Sequence, residues 1–267
     1  MLRCWIICEV NMTKGKAGAD SSVLVTTLLQ GKTLIQLATG LFGQTPSFWG
    51  RYFTSASTSG TVEYRHLKEN QILRQNGIRV LPIARQTKNV NGKQAQGSAD
   101  AEANAEDFVT TFGQQYLASQ GRDYLMFLDV EGSPSLSSSY FAGWAQTLTA
   151  HSLDATNGAI RILPCVYATR ADDPTWQAVA DCARRGIFCS GAWIARWVQH
   201  GCAALTDWQD SVVSPNVELP CKVLVWQYSD DCWGGGGFDC DEANPNIDVN
   251  QEFLSKLILP PETAVGS

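Results

Sequence analysis

Six short runs of near-continuous apolar character mark the chain: FWGRYFT (48–54), IRVLPIARQ (78–86), YLMFLDVE (124–131), IRILPCVYA (160–168), GAWIARWV (191–198) and CKVLVWQYS (221–229). A strand buried on one face alternates apolar and polar residues, whereas one buried on both faces does not. The runs therefore predict strands of a parallel sheet covered on both sides. Between them lie helical patterns. TVEYRHLKENQILRQNG (61–77) spaces Leu67, Ile72 and Leu73 for one helix face and stops at Gly77. ADAEANAEDFVTTFGQQYLASQG (99–121), SSYFAGWAQTLTAHS (138–152) and PTWQAVADCARRG (174–186) follow the same plan, the last with Pro174 suited to a first helical turn. Strand–helix alternation of this kind predicts right-handed βαβ units. GIRVLPIA (77–84) and AIRILPCVYA (159–168) repeat one another, and each carries a proline, Pro82 or Pro164, that removes a ladder donor and marks a bulge or a strand start.

After Gly191 the helical segments thin out. LTDWQDSVVSPNVELP (205–220) reads as a loop, SDDCWGGGGFDCDEANPN (229–246) as turn-rich, and IDVNQEFLSKLIL (247–259) as a short strand running into a closing helix. The whole predicts an α/β fold: one TIM-like (β/α) barrel over residues 17–259, between an N-terminal tail (1–16) and a C-terminal tail (260–267). At 267 residues and 44% hydrophobic, the chain can fill one such core.

Composition removes several classes. The net charge of −6 and the absence of a Lys/Arg cluster argue against nucleic acid as a partner. No apolar run approaches the ~20 residues of a membrane span. The N-terminal apolar stretch Cys4–Cys8 is shorter than the ~7–15 residues of a secretory core. Met12 is an alternative start, and the compartment stays open between the cytoplasm and a non-classical export route. His66, His151 and His200 are not spaced as metal ligands, and neither a metal nor another cofactor is expected. Nine cysteines leave at least one thiol unpaired within the chain. Cys232 with Cys240 and Cys182 with Cys189 are candidate bridges; isolated thiols are the alternative.

The chemistry gathers in YLMFLDVEG (124–132). Residues i and i+2 of a strand share a face, so Asp129 and Glu131 point the same way, with Cα atoms ~6.5–7 Å apart. They close their strand, and in α/β barrels the C-terminal strand ends carry the active site. Mutual repulsion and burial raise a carboxyl pKa, which suits one of the pair to proton donation. An acid for the leaving oxygen and a second carboxylate are what glycoside hydrolysis requires. The competing reading is a helix cap or a structural ion pair. Asp20 near the first strand and Asp248 near the expected last strand become neighbours once a barrel closes, making a cleft of four carboxylates. No Gly-x-Ser-x-Gly, Gly-x-Gly-x-x-Gly or P-loop pattern competes.

The ordered motifs Gly18-Ala-Asp20-Ser-Ser22, Leu128-Asp129-Val-Glu131-Gly132, Trp226-Gln227-Tyr228-Ser229 and Ile247-Asp248-Val-Asn250 resemble those of the glycoside hydrolase family 25 lysozymes. They are more similar still to the glycoside-hydrolase-like barrels grouped as domain of unknown function 1906. The resemblance covers about residues 17–259. It implies a flattened barrel of five β/α units and three further strands, Glu131 as the acid/base, Asp129 as the residue that orients the 2-acetamido group or stabilises the oxocarbenium, and Asp20 and Asp248 as supporting carboxylates. The implied substrate is a β-1,4-linked amino-sugar polymer such as peptidoglycan. Arg51 and Arg85 depart from the lysozyme pattern: an arginine pointing into the site either pairs with Asp129 or Glu131, lowers its pKa and disables the acid, or creates a site for an anionic group.

Aromatic and polar side chains at the strand ends extend the candidate saccharide site: Tyr167, Trp193, Trp226, Gln227 and Tyr228, with Trp233 on the glycine-rich loop as a rim residue. The expected partner is a polysaccharide or oligosaccharide bound by a monomer. A retaining glycosidase is one hypothesis. A carbohydrate-binding protein on a catalytically inactive barrel is the other.

Overall fold

A computed structural model describes residues 14–53, 62–86 and 88–262. Eight strands close into a barrel: β1 (Ala17–Asp20), β4 (Phe48–Phe53), β5 (Arg79–Arg85), β6 (Asp123–Val130), β7 (Arg161–Thr169), β8 (Ala192–His200), β9 (Val223–Cys232) and β10 (Phe238–Ala243). The strands β2 (Leu28–Leu29) and β3 (Lys32–Thr33) form a separate small hairpin. Neighbours in the barrel are parallel except β10, which runs antiparallel to both β9 and β1 and closes the ring.

Five strand–helix units come first. The helices are α1 (Leu34–Phe42), α2 (His66–Gln75), the pair α3 (Gln94–Phe112) and α4 (Gln114–Gln120), α5 (Ser138–Ala155) and α6 (Asp173–Arg184). The last three strands follow with only the four-residue α7 (Asp210–Val213) among them. This is the TIM-like α/β barrel the pattern predicts. None of these helices is long and apolar enough to cross a membrane.

The expected strand boundaries hold to within about three residues, and the prolines fit because of where the ladders begin. The ladder from β5 to β6 starts at Ile83, just past Pro82. That from β7 to β8 starts at Val166, just past Pro164. The missing N–H groups therefore cost no sheet bond on those sides.

The end of the chain departs from expectation. Residues 229–246 contain the barrel's closing strand, β10, and residues 247–259 form no long helix. A five-residue π-helical turn (Val249–Phe253) and a 3₁₀ turn (Leu254–Lys256) plug the opposite mouth instead, where Phe253 meets Phe48 edge to face at 5.0 Å. Ile258 then pairs with Val80 at the start of β5.

The cysteines also depart from both candidate pairings. The disulfide joins Cys202, after β8, to Cys232 at the end of β9. Cys240 lies in register with Ser229, not with Cys232. Cys182 faces the carbonyl of Ser138, and Cys189 faces that of Gly191.

Outside the barrel wall, Arg51 and Glu69 are both fully buried and form one ion pair, Nε to Oε2 at 2.9 Å. The guanidinium also donates to the carbonyls of Ser21 (2.6 Å) and Val62 (2.9 Å), and the carboxylate accepts from Val25 N (3.1 Å) and Arg65 N (2.8 Å). One charge pair thus ties β4, α2 and the loop after β1 together. Each guanidinium nitrogen donates and each carboxylate oxygen accepts twice, which offsets the desolvation cost. Removal of one partner strands the other.

Two stability predictions result. Arg51→Met leaves Glu69 buried and unpaired and lowers the unfolding free energy by about 3–5 kcal/mol in a urea titration. Replacing Cys202 and Cys232 together by alanine opens a loop of 30 residues and costs about 3–4 kcal/mol by the chain-entropy relation, read in the same assay.

Candidate active site

Alternation along each strand decides which side chains enter the barrel. In β4, Phe48 and Tyr52 point in, so Trp49, Arg51 and Phe53 point out. In β6, Leu125 and Phe127 fill the interior layer, which carries Asp129 and then Glu131 to the C-terminal mouth on the same face. In β7 the same parity brings in Cys165 and Tyr167, and in β9 Val225 and Gln227.

The result is a cleft of about 370 Å³ at the C-terminal end of the barrel. Asp20, Tyr52, Arg85, Glu131, Trp197 and Asp239 line it, together with the turn of the β9–β10 hairpin. Its floor is close-packed. A Cβ on Gly50 would come within 2.6 Å of Asp20 Cβ and 3.3 Å of the Trp193 ring. Only glycine lets Asp20 and Trp193 sit side by side across β4.

The carboxyl groups meet on one side of this cleft. Asp20 and Asp239 are register partners across β1 and β10, and Asp241 follows two residues on, on the same face. Burial raises Asp20 to about 7, with the charges of Glu131 and Asp129 adding to it and a hydrogen bond from Gln227 opposing it. Burial, then the charge of Asp20, raises Asp239 to about 8. Burial pushes Asp241 well above the usual carboxylate range, helped by Asp20 and Asp239. The Oδ2 of Asp241 is buried with no hydrogen-bond partner among the described residues. The indole of Trp193 donates to the other face of Asp241, at 3.1 Å.

The opposite side carries Glu131, half-buried, with the Tyr167 hydroxyl 3.3 Å from its Oε1. Burial and the surrounding carboxylates hold the Tyr167 and Tyr52 phenols far above their ordinary pKa, so both stay neutral. Arg85, in register with Asp129, stands over the Tyr52 ring at 5.2 Å and is the cationic side chain lining the cleft among the described residues. Among the described residues, no set of three or more His, Cys, Asp or Glu side chains is arranged to hold a metal ion.

Several residues proposed from the sequence lie elsewhere. Asp248 caps the π-helical turn at the far mouth, accepting from Gln251 N at 3.2 Å, because the chain has already passed its last strand. Arg51 points outward to Glu69. Trp226 and Tyr228 flank the inward Gln227 and so point outward; the Trp226 indole donates to Arg196 O, and the Tyr228 hydroxyl to Ala203 O. Trp193 is buried beneath the cleft floor. Trp233 packs its half-buried ring on Phe238 at 5.4 Å. Tyr52 and Trp197, aromatic residues at the strand ends, line the cleft, and Asp239 and Asp241 join the site without having been proposed for it. Their signal was parity: F-D-C-D-E-A places two acids at i and i+2.

No family model matches this sequence, and no curated protein matches it. Solved structures do. An uncharacterized B. stearothermophilus protein aligns with TM-score 0.63 at 20% identity, over 91% of this chain and all of that one. A muramidase from Acremonium alcalophilum aligns with TM-score 0.51 at 18% identity, over 90% of this chain and 99% of that one. The catalytic domain of the endolysin ply40 from bacteriophage P40 of Listeria monocytogenes aligns with TM-score 0.51 at 14% identity, covering 91% and 98%. The barrel of this chain is therefore the fold these proteins share.

Proposed function

We propose that the chain is a glycoside hydrolase acting on a β-1,4-linked amino-sugar polymer such as peptidoglycan. The observation that carries this reading is the cleft itself: Glu131 opens into it from β6 across from Asp20 and Asp239, with an exposed indole, Trp197, at the rim. Support comes also from the shared fold, since a muramidase and the catalytic domain of an endolysin have it.

In this reading Glu131 is the acid that protonates the departing glycosidic oxygen and later takes a proton from water. Asp129, one strand step deeper, orients the 2-acetamido group or offsets the positive charge that grows on the ring. Asp20 supports that charge from the other wall. Arg85 answers an anionic substituent on the saccharide, and Trp197 offers an apolar face to a sugar ring. The residues at the mouth thus divide into one group that moves a proton and several that hold charge.

Glu131→Gln keeps the shape and removes the acid. It lowers reducing-end release from purified peptidoglycan by about 10²–10⁴-fold, with an unchanged circular dichroism spectrum. Saccharide binding without release by the folded wild type would instead support a binding protein.

The protonated acids also set a pH dependence of stability. Asp20, Asp239 and Asp241 have folded pKa values above their unfolded value of 3.8. Between about pH 4 and pH 8 the folded chain therefore binds more protons than the unfolded chain, and stability falls as pH rises. Urea midpoints decline from pH 5 to pH 8.5, and Asp239→Asn flattens the decline.

A further inference from the structure

Gln227 is almost wholly buried at the centre of the site, and its amide is fully used. Its Oε1 accepts from the Tyr167 hydroxyl and from the Trp197 indole, both at 2.8 Å. Its Nε2 donates to Asp20 Oδ2 at 2.8 Å and to Asp239 Oδ2 at 3.2 Å. The orientation of the amide is not arbitrary. An indole N–H only donates, so it faces the oxygen, which leaves the nitrogen to face the carboxyl groups. Two donors and two acceptors exhaust what the amide can offer, and nothing remains for a substrate.

We propose that Gln227 is not a substrate ligand but the positioning residue of the site, a single amide that binds the rim indole of Trp197 and the Tyr167 phenol on one side to the carboxyls of Asp20 and Asp239 on the other. The phenol lies in turn against Glu131. Four strands, β1, β7, β8 and β10, thus meet at one side chain carried by a fifth, β9. The Tyr167 phenol and the Trp197 indole both hold the amide oxygen, so either alone keeps its orientation, and the other end of the same amide holds Asp20. The amide also supplies Asp20 with a donor where the other neighbours are acidic: Asp239 and Asp241 on β10 and Asp129 and Glu131 on β6. The remaining titratable neighbours are the Tyr52 phenol on β4, Arg85 on β5 standing over that ring, and Asp230 at the rim, which pairs with His200.

The inference rests on the glycosidase reading only for its catalytic consequence, and its test does not need turnover. The side-chain carboxyl of Asp20 is followed by ¹³C NMR titration in the wild type, in Gln227→Met, which keeps length and loses both donors, and in Trp197→Phe, which leaves the donors in place. A hydrogen bond to the ionised form lowers a carboxyl pKa, so Gln227→Met moves the Asp20 midpoint upward, by about one to two pH units. Trp197→Phe leaves it within a few tenths of a unit. An Asp20 midpoint that stays put in folded Gln227→Met overturns the proposal, as does an equal rise in Trp197→Phe. Gln227→Leu serves if Gln227→Met does not fold: it is uncharged, loses the donors and gives the same upward shift. If the wild type also cleaves peptidoglycan, the acid limb of its kcat/KM profile moves up with the midpoint in Gln227→Met. If it cleaves no glycan, the titration still decides for or against Gln227 while the glycosidase reading fails.

Discussion

A strand in a closed barrel gives each side chain two directions, toward the axis or toward the helices, and the choice passes down the strand with period two. Almost everything about this molecule depends on that restriction. Phe127 packs inward, so Asp129 and Glu131 must also face the axis and the mouth. Tyr52 faces inward, so Arg51 must be buried under the helices, where only an ion pair with Glu69 makes its burial tolerable. Acidic cleft and buried salt bridge are two outcomes of one geometric rule applied to neighbouring strands.

The same rule concentrates carboxyl groups in a space that disfavours their charge. Asp20, Asp239 and Asp241 sit where burial outweighs the hydrogen bonds offered to them, and all three hold their protons to a higher pH than a free carboxyl does. Gln227 and Trp193 supply neutral donors. Arg85 is held against an aromatic face at the side of the cleft. Polarity in this site is maintained by dipoles and protons, and its state follows the pH of the solution.

Much of this was legible in the sequence. The double-sided burial of six strands left continuous apolar runs, which placed those strands to within a few residues. Glycines and prolines punctuated the helices between them. The Asp-x-Glu pair stood out because it ended such a run. What escaped did so for physical reasons. The closing strand β10 faces the acids on one side, so its inward residues are Asp239 and Asp241 and it has no apolar signature; its polar letters read as a turn. Placing the last strand at 247 instead of at Phe238 then put Asp248 in the site that these two aspartates occupy. Trp226 and Tyr228 were grouped with Gln227 by adjacency, although strand parity permits only the middle residue to point inward. The partner of Cys232 depended on the loop after β8, and nothing local to either cysteine encodes it.

The antiparallel course of β10 also changes what borders the cleft. In an all-parallel barrel, each loop at the catalytic mouth leads into a helix, and lengthening it shifts a helix that packs the core. Here one stretch of rim is the turn of a hairpin, with strands on both sides and no helix attached. Its length is free of the packing of the outer layer. Insertions there can reshape the lip of the cleft while the barrel keeps its closure, which makes this hairpin the place where a related chain, or a designer, could change what the cleft admits at the least cost to the fold.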